Sequence, residues 1–357
     1  MCPLFIPGPV EVDESVLAAQ AQPMLPHRGA KFEEIFHRTE AKARKIFQTK
    51  ARVFMLACSG TGFHEAAVRN LVNKRMLSCV NGAFSQRWYQ VAQTNGKHVD
   101  LLEVDWRQPI TPELVAERVK KQHYEVVTIV HNETSTGMLN PVAEIAAAIH
   151  VISPETLICV DAVSSLGGAP LEMDAWGLDL VLASSQKALS LPPGLALCAV
   201  SDRALKRAEQ VPNRGWYFDF LRLEKHRIEN STPTTPPMPL IFALDLQLDR
   251  ILAEGLESRI DHHQALANRT EAWALGRGFG LFAPKGYRSP TVTAIETKPH
   301  IDLQQMIAYL AQRGFYIAAG YGKLKGSTFR IGHMGEIGMD DLDALLEAIN
   351  QFLDQTK

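Results

Sequence analysis

Between about Arg52 and Val200 the chain alternates short apolar or β-branched runs with longer amphipathic stretches. The runs are RVFMLAC, RMLSCV, VVTIVH, TLICVDAV and LDLVLAS. Such alternation is the pattern of parallel strands joined by crossovers, because a parallel neighbour is reached only through a long return connection. Gly62 to Val72 and Pro141 to His150 carry apolar residues at helical spacing, so helices are expected to cover the sheet. The expected fold class is α/β: a large domain with a mostly parallel sheet flanked by helices, followed by a smaller α+β domain. Ser59-Gly60-Thr61-Gly62 and Asn81-Gly82 fall at strand ends, in the loops where such sheets place ligands.

The strongest break is Glu229 to Pro239, ENSTPTTPPMP, whose prolines fit neither a helix interior nor a central strand. It reads as an extended connection. Beyond it, Leu240 to Glu257 and Arg259 to Leu275 read as long helices. TVTAIE, GFYIAAG and TFRIGH read as strands around one more helix, and Met339 to Phe352 closes the chain helically. This divides the chain into an extended N-terminal arm (1–20), a large domain (21–257) and a small C-terminal domain (258–357). A length of 357 residues fits two domains.

A net charge of −2 with both signs interspersed leaves no basic stripe for nucleic acid, so a small-molecule substrate is expected. The five cysteines show no paired spacing. Cys58, Cys79, Cys159 and Cys198 lie in or beside apolar runs, as free thiols of a reducing compartment would. Pro3, Pro7 and Pro9 interrupt the N-terminus before a signal peptide or membrane span could form, and the closing DQTK matches no targeting signal. A cytoplasmic protein is expected.

Lys187 follows the run LDLVLAS at the mouth of the sheet, with small hydroxyl residues before it and Pro-Pro-Gly after it. An amine there can be desolvated enough to react with an aldehyde; a lysine snorkelling from a strand end is the plainer alternative. Asp161 ends TLICV, where a buried carboxylate needs a cationic partner or else caps a helix. Ser59-Gly60-Thr61-Gly62 precedes a helical pattern, so its free N–H groups can bind a phosphate or serve as an ordinary cap. Neither GxxxxGK[ST] nor GxGxxG is present. Gly276 to Gly280 reads as a helix-to-strand turn. His262 and His263 are adjacent, read as surface residues, and suggest no metal site. Arg330 sits in the apolar strand TFRIGH, where a charge requires a partner unless the strand is an edge facing water. Lysine, carboxylate and helix N-terminus together suit pyridoxal phosphate, which needs a partner for its aldehyde, its ring nitrogen and its phosphate.

Nearly the whole chain, from IPGPVEV to FRIGHMGEIG, resembles the class V, fold-type I pyridoxal-phosphate aminotransferases, in the alanine:glyoxylate and serine:pyruvate branch. SGTGFHEAA, VNGAFSQRW, HNETSTGMLNP, VDAVSSLGG, SSQKALSLPPG and TPTTPP carry the likeness. The resemblance implies that Lys187 forms the Schiff base and shuttles the substrate proton, while Asp161 keeps the pyridine nitrogen protonated. It implies that Thr61, Gly62 and Phe63 hold the phosphate and that Gln186 adds a side-chain donor. Phe84 would stack on the cofactor ring, in place of the Trp or Tyr of many relatives. Thr134 would lie near the ring oxygen and Val163 against the opposite face. Thr232 and Thr235 would reach the phosphate of the neighbouring subunit, making a homodimer with shared sites. Without the resemblance, that Pro-flanked segment is equally a spacer.

Arg330 would grip the substrate α-carboxylate with its planar fork. The implied activity moves an amino group from alanine or serine to glyoxylate or pyruvate. The alternative is 2-aminoethylphosphonate:pyruvate aminotransferase, which shares HNETSTGMLNP, FRIGHMGEIG and Arg330. A cysteine desulfurase would need a cysteine beyond Cys198 and His in place of Gln186 and Phe84. A catalytically silent member of the fold would have lost Lys187 or Asp161. Phe5, Ile6, Gly8, Tyr321 and His333 are the positions expected to shape the pocket around the substrate, and the N-terminal arm could cover either the active site or a partner.

Overall fold

The computed structural model describes residues 4–355; Pro3 and the last two residues of the DQTK tail lie outside them. The strands are β1 (Leu4–Phe5), β2 (Arg52–Leu56), β3 (Arg75–Val80), β4 (His98–Glu103), β5 (Val126–Val130), β6 (Asn132–Glu133), β7 (Met138–Leu139), β8 (Leu157–Asp161), β9 (Leu180–Ser184), β10 (Ala196–Val200), β11 (Val292–Glu296), β12 (Tyr316–Ala319) and β13 (Thr328–Gly332). The α-helices are α1 (Glu14–Ala19), α2 (Ala30–Phe47), α3 (Gly60–Leu71), α4 (Ala83–Thr94), α5 (Pro112–Lys121), α6 (Val142–Ile152), α7 (Asp202–Glu209), α8 (Phe220–Ile228), α9 (Met238–Glu254), α10 (Leu256–Gly276), α11 (Leu303–Ala311) and α12 (Met339–Gln355).

Seven strands form the large sheet in the order β2-β10-β9-β8-β5-β3-β4. Alternate residues feed two cores, as strand geometry requires. Val127, Ile129, Ile158, Val160, Val181 and Ala183 pack on one face. Val126, Leu157, Cys159, Leu180 and Leu182 pack on the other. Both faces are covered, which is why these strands read as continuous apolar runs.

From β9 to β4 the pairings are parallel, as expected. The sheet is thus mostly parallel, the exception being its β2 end, where β10 runs antiparallel to both β2 and β9. Chain reversal occurs in the loop after Lys187, where Ser190 and Gly194 have φ of 54° and 124°. Ser185 N–H donates to Leu195 C=O, so the chain returns beside the strand it has just left. Neither β10 nor β4 was among the expected runs. The β4 sequence, HVDLLE, is a half-buried edge strand with charges at intervals, and it gives little apolar signal.

α9 and α10 are the two long helices anticipated after the proline-rich connection, and β11, α11, β12, β13 and α12 follow in the expected order. The four-stranded second sheet runs β1-β12-β13-β11. Phe5 lies opposite Ile317, and its side chain joins the core formed by Leu266, Ile295, Phe329 and Leu345. The arm is not extended throughout: Asp13 accepts a hydrogen bond from Ser15 N–H and caps helix α1. Val16 then buries in the same core as Ile251 of α9. Cys79, Cys159 and Cys198 are buried, and together with Cys58 they are unpaired. Among the described residues no helix is long and apolar enough to cross a membrane.

Candidate active site

The C-terminal ends of β8 and β9, the N-terminus of α3 and the start of α4 surround a cavity of about 620 Å³, its open mouth included. Ser59, Gly60, Thr61, His64, Phe84, Thr134, Asp161, Val163, Gln186 and Lys187 all line it, although they come from five separate stretches of chain.

Lys187 lies just beyond β9. Its Nζ donates to Pro7 C=O, and a Cβ on Gly8 would stand 2.6 Å from that nitrogen. The N-terminal segment therefore crosses this chain's own cavity. Burial pushes the Lys187 amine down to about 8, aided by Arg330 and Arg87 and opposed by Asp161. This is not a snorkelling lysine: its nitrogen is held against the N-terminal backbone in a desolvated place.

Asp161 ends β8 and is 4 % exposed. It caps no helix. One carboxylate oxygen accepts from Val163 N–H at 2.8 Å, and the other meets His64 Nε2 at 2.7 Å. Thus the required partner is a histidine, absent from the residues singled out in the sequence.

Helix α3 begins at Gly60 with Ser59 as its N-cap, whose side chain makes no capping bond. The first N–H groups of such a helix lack intrahelical partners and favour an anion. A Cβ on Gly60 would come within 2.5 Å of Val163 Cγ2, so only glycine lets the helix start approach this wall. Thr61 lines the cavity, whereas Gly62 and Phe63 do not. The Phe63 ring is fully buried in the core, leaving only its backbone for a ligand. Gln186 accepts from the Ser184 hydroxyl at 2.8 Å through its carbonyl, which leaves its amide N–H₂ as the available donor.

Phe84 opens onto the cavity, but its ring also stacks on Tyr321 at 5.4 Å and 10°. Arg87 lies 4.9 Å from the Phe84 centroid and donates to the Tyr321 hydroxyl. Thr134 shares a 2.8 Å hydrogen bond with Ser164. Glu133, fully buried, accepts from the N–H groups of Phe84, Ser85 and Ser135 and from the hydroxyls of both serines. It thereby fixes the start of α4, where the helix dipole favours a carboxylate.

Arg330 is 7 % exposed on β13, an interior strand of the small sheet rather than an edge facing water. Its guanidinium donates to Ala319 C=O and Thr134 C=O. Among the described residues it has no ion-pair partner within 4.0 Å, and burial pulls it down to about 10 despite Glu133 and Tyr321 nearby. A buried cation bonded to carbonyls alone is a seat for an anion.

Several expectations are displaced. His263 is not at the surface: it is fully buried, bonded through Nδ1 to Arg259 C=O and accepting at Nε2 from Gly335 N–H. His262 meets Ile337 C=O at 2.8 Å. Phe5 and His333 are also core residues, the latter bonded to Thr293. Thr232 donates to Thr234 C=O, Thr235 is exposed, and neither lines this cavity.

A lysine and a carboxylate at the C-terminal edge of a mostly parallel sheet, beside a helix N-terminus and a buried arginine, define a lysine-centred α/β transferase. The chain belongs to the class V aminotransferase family, whose model matches residues 13–331. It is 33 % identical to the L-aspartate–glyoxylate aminotransferase of Paracoccus denitrificans, over 94 % of this chain and 87 % of that one. It is also 33 % identical to the serine–glyoxylate aminotransferase of Methylorubrum extorquens, over 94 % and 86 %. The solved alanine–glyoxylate aminotransferase of Nostoc sp. superposes with a TM-score of 0.93 at 29 % identity, covering 98 % of this chain and 94 % of that one. The family implies pyridoxal phosphate, and the residues fit it: a depressed amine for the aldehyde, a buried carboxylate for the ring nitrogen and a glycine-cut helix start for the phosphate.

Proposed function

We propose that this enzyme uses pyridoxal phosphate to move the amino group of a small L-amino acid, alanine or serine, to glyoxylate or pyruvate. The observation that carries the substrate class is Arg330, a buried cation bonded to carbonyls and lacking an ion-pair partner among the described residues; it does not itself line the cavity, but it donates to the backbone of Thr134, which does, and its charge lowers the Lys187 amine. A 2-oxo acid and an amino acid share the carboxylate that such a fork receives bidentately. Glyoxylate in the names of all three relatives supports the acceptor, while their donors differ.

When bound, the cofactor supplies an aldehyde and an electron-accepting ring. Thr61, the backbone of Gly62 and Phe63, and the Gln186 amide would hold its phosphate; Phe84 and Val163 would flank its ring; Thr134 would face the ring oxygen. Asp161 would offer a carboxylate oxygen to the ring nitrogen. Lys187 Nζ, whose proton is weakly held, would accept the proton from the substrate α-carbon and hold it for return. Arg330 orients the carboxylate. Pro7 and Gly8 cover the amine and restrict water.

A second reading, transfer from 2-aminoethylphosphonate to pyruvate, is favoured by Arg87, a second cation at the mouth beside Tyr321. Its extra charge suits a dianion. Absorbance separates the two: the visible band of the cofactor-loaded protein is expected to bleach with L-alanine or L-serine and to be absent in Lys187→Ala. Bleaching by the phosphonate alone installs the second reading, and no band in the wild type after cofactor addition ends both.

The same reading makes the protein a homodimer in which Thr232 and Thr235 serve the partner's site; their position away from this chain's own cavity supports it. It keeps 21–257 as the cofactor-bearing domain and 258–357 as the smaller one, supported by two separate cores, one reaching Ile251 and the other drawn from Leu266 onward with Phe5 added. Four free cysteines support a reducing, cytoplasmic setting.

A further inference from the structure

Asp161 is nearly buried, and a buried carboxylate left alone would protonate or demand a partner. Among the described residues neither lysine nor arginine pairs with it; the one basic side chain in hydrogen-bond range is His64, five residues into α3 counting from Gly60. Because a carboxylate only accepts, Nε2 of His64 is the donor across 2.7 Å.

The His64 ring is held from a second side by Trp88 of α4, stacked at 4.5 Å and 14°. Trp88 Nε1 donates to His64 C=O, tying the two helices together at this point. The other ring nitrogen, Nδ1, is buried without a hydrogen-bond partner. Both nitrogens of buried His263 are satisfied, whereas His333, bonded to Thr293 through Nε2, also leaves its Nδ1 unmet. His64 leaves one unsatisfied, and its ring makes a single polar contact, to the carboxylate.

We propose that His64 is a positioning residue: stacked on Trp88, it donates Nε2–H to Asp161 and holds that carboxylate in one orientation for the cofactor's ring nitrogen. The inference rests on the role given to Asp161 above. With Val163 N–H on one oxygen and His64 on the other, both oxygens are anchored, and each keeps a further lone pair for the ligand. Helix α4 thus does two things at once, because Phe84 and Trp88 stand one turn apart on it: the first faces the cavity and the second clamps the histidine.

Two variants separate positioning from packing. His64→Phe keeps a ring against Trp88 and removes the donor, whereas His64→Gln gives up the ring and keeps an amide N–H near the place of Nε2. For the cofactor-free wild type, nitrogen-15 histidine spectra are expected to show His64 carrying its proton on Nε2. In His64→Phe, kcat is expected to fall about 10- to 100-fold at unchanged KM, the range seen when outer partners of a bound group are removed at metal sites. Its affinity for pyridoxal phosphate should weaken and the visible band should shift, while His64→Gln recovers most of each. A protonated Nδ1 with bare Nε2, or a Phe variant equal to wild type in kcat, band and cofactor affinity, overturns the inference while leaving the aminotransferase reading intact. Equal loss in both variants with unchanged thermal stability also overturns it, since the donor would then not matter. If the wild type takes up no cofactor, the earlier reading falls first, and the spectra of the cofactor-free protein still decide the His64 bond.

Discussion

At the scale of single residues, two basic groups carry charge where solvent gives little help. Lys187 is pushed down to about 8 from the roughly 10.4 of a free lysine. A neutral amine is the form that attacks an aldehyde, so each pH unit below about 8 removes most of the remaining nucleophile. Capture of pyridoxal phosphate by the cofactor-free protein, followed by stopped-flow absorbance, is expected to accelerate about tenfold per unit up to that point and then level off. A flat profile from pH 6 to 9 would contradict the burial of this amine. The sign for stability is the same: between about 8 and 10.4 the unfolded chain binds the proton and the folded one does not, so the cofactor-free protein gains stability as pH rises. Arg330→Lys keeps the charge but loses the planar fork. It should raise KM for amino and 2-oxo acids by about 10- to 100-fold, the worth of a bidentate charged contact, while the visible band survives. A variant that loses the band instead would show Arg330 to be holding the fold.

Elements matter here through their ends. Helix α3 presents its N-terminus to the cavity only because Gly60 lets it come against Val163. Gly60→Ala forces that contact apart, and cofactor affinity measured by fluorescence titration should drop at least about tenfold, with loss of helix capping an insufficient explanation because alanine is a good helix former. Helix α4 begins on Glu133, whose carboxylate gathers three backbone N–H groups and two hydroxyls. Glu133→Ala leaves those donors buried and unmet, which costs about 3 kcal/mol or more. Thermal unfolding should therefore shift downward by several degrees, and a variant melting with the wild type would remove Glu133 from this role.

For the whole molecule, the placement of Thr232 and Thr235 outside the chain's own cavity leads to a test by mixing. Lys187→Ala protomers combined with a Thr232→Ala/Thr235→Ala double variant should yield hybrids in which one site has both intact Lys187 and intact partner threonines. Activity exceeding that of either parent, up to about a quarter of the wild-type level for statistical hybrids, is expected if subunits exchange as a dimer. No recovery after verified exchange would return the segment to a spacer.

Much of this protein can be read from local sequence. Strand periodicity placed Asp161 and Lys187 at sheet ends, and the motif SSQKALSLPPG marked the amine, because a buried parallel strand must be apolar throughout and must end in a loop. The helices of the small domain were legible for the same kind of reason. His64 was not, since one histidine in a helical pattern carries no sign of what lies across from it; only α3 packing on β8 and α4 brings it to Asp161 and Trp88. Nor could the pattern tell that β10 turns back between β9 and β2, or that His263 is buried, because strand direction and burial on a long helix depend on neighbours distant along the chain. Sequence alone determined which chemical groups the site holds. Tertiary packing decided which of them are desolvated and which meet, because burial and charge pairing exist only once separate segments are brought together.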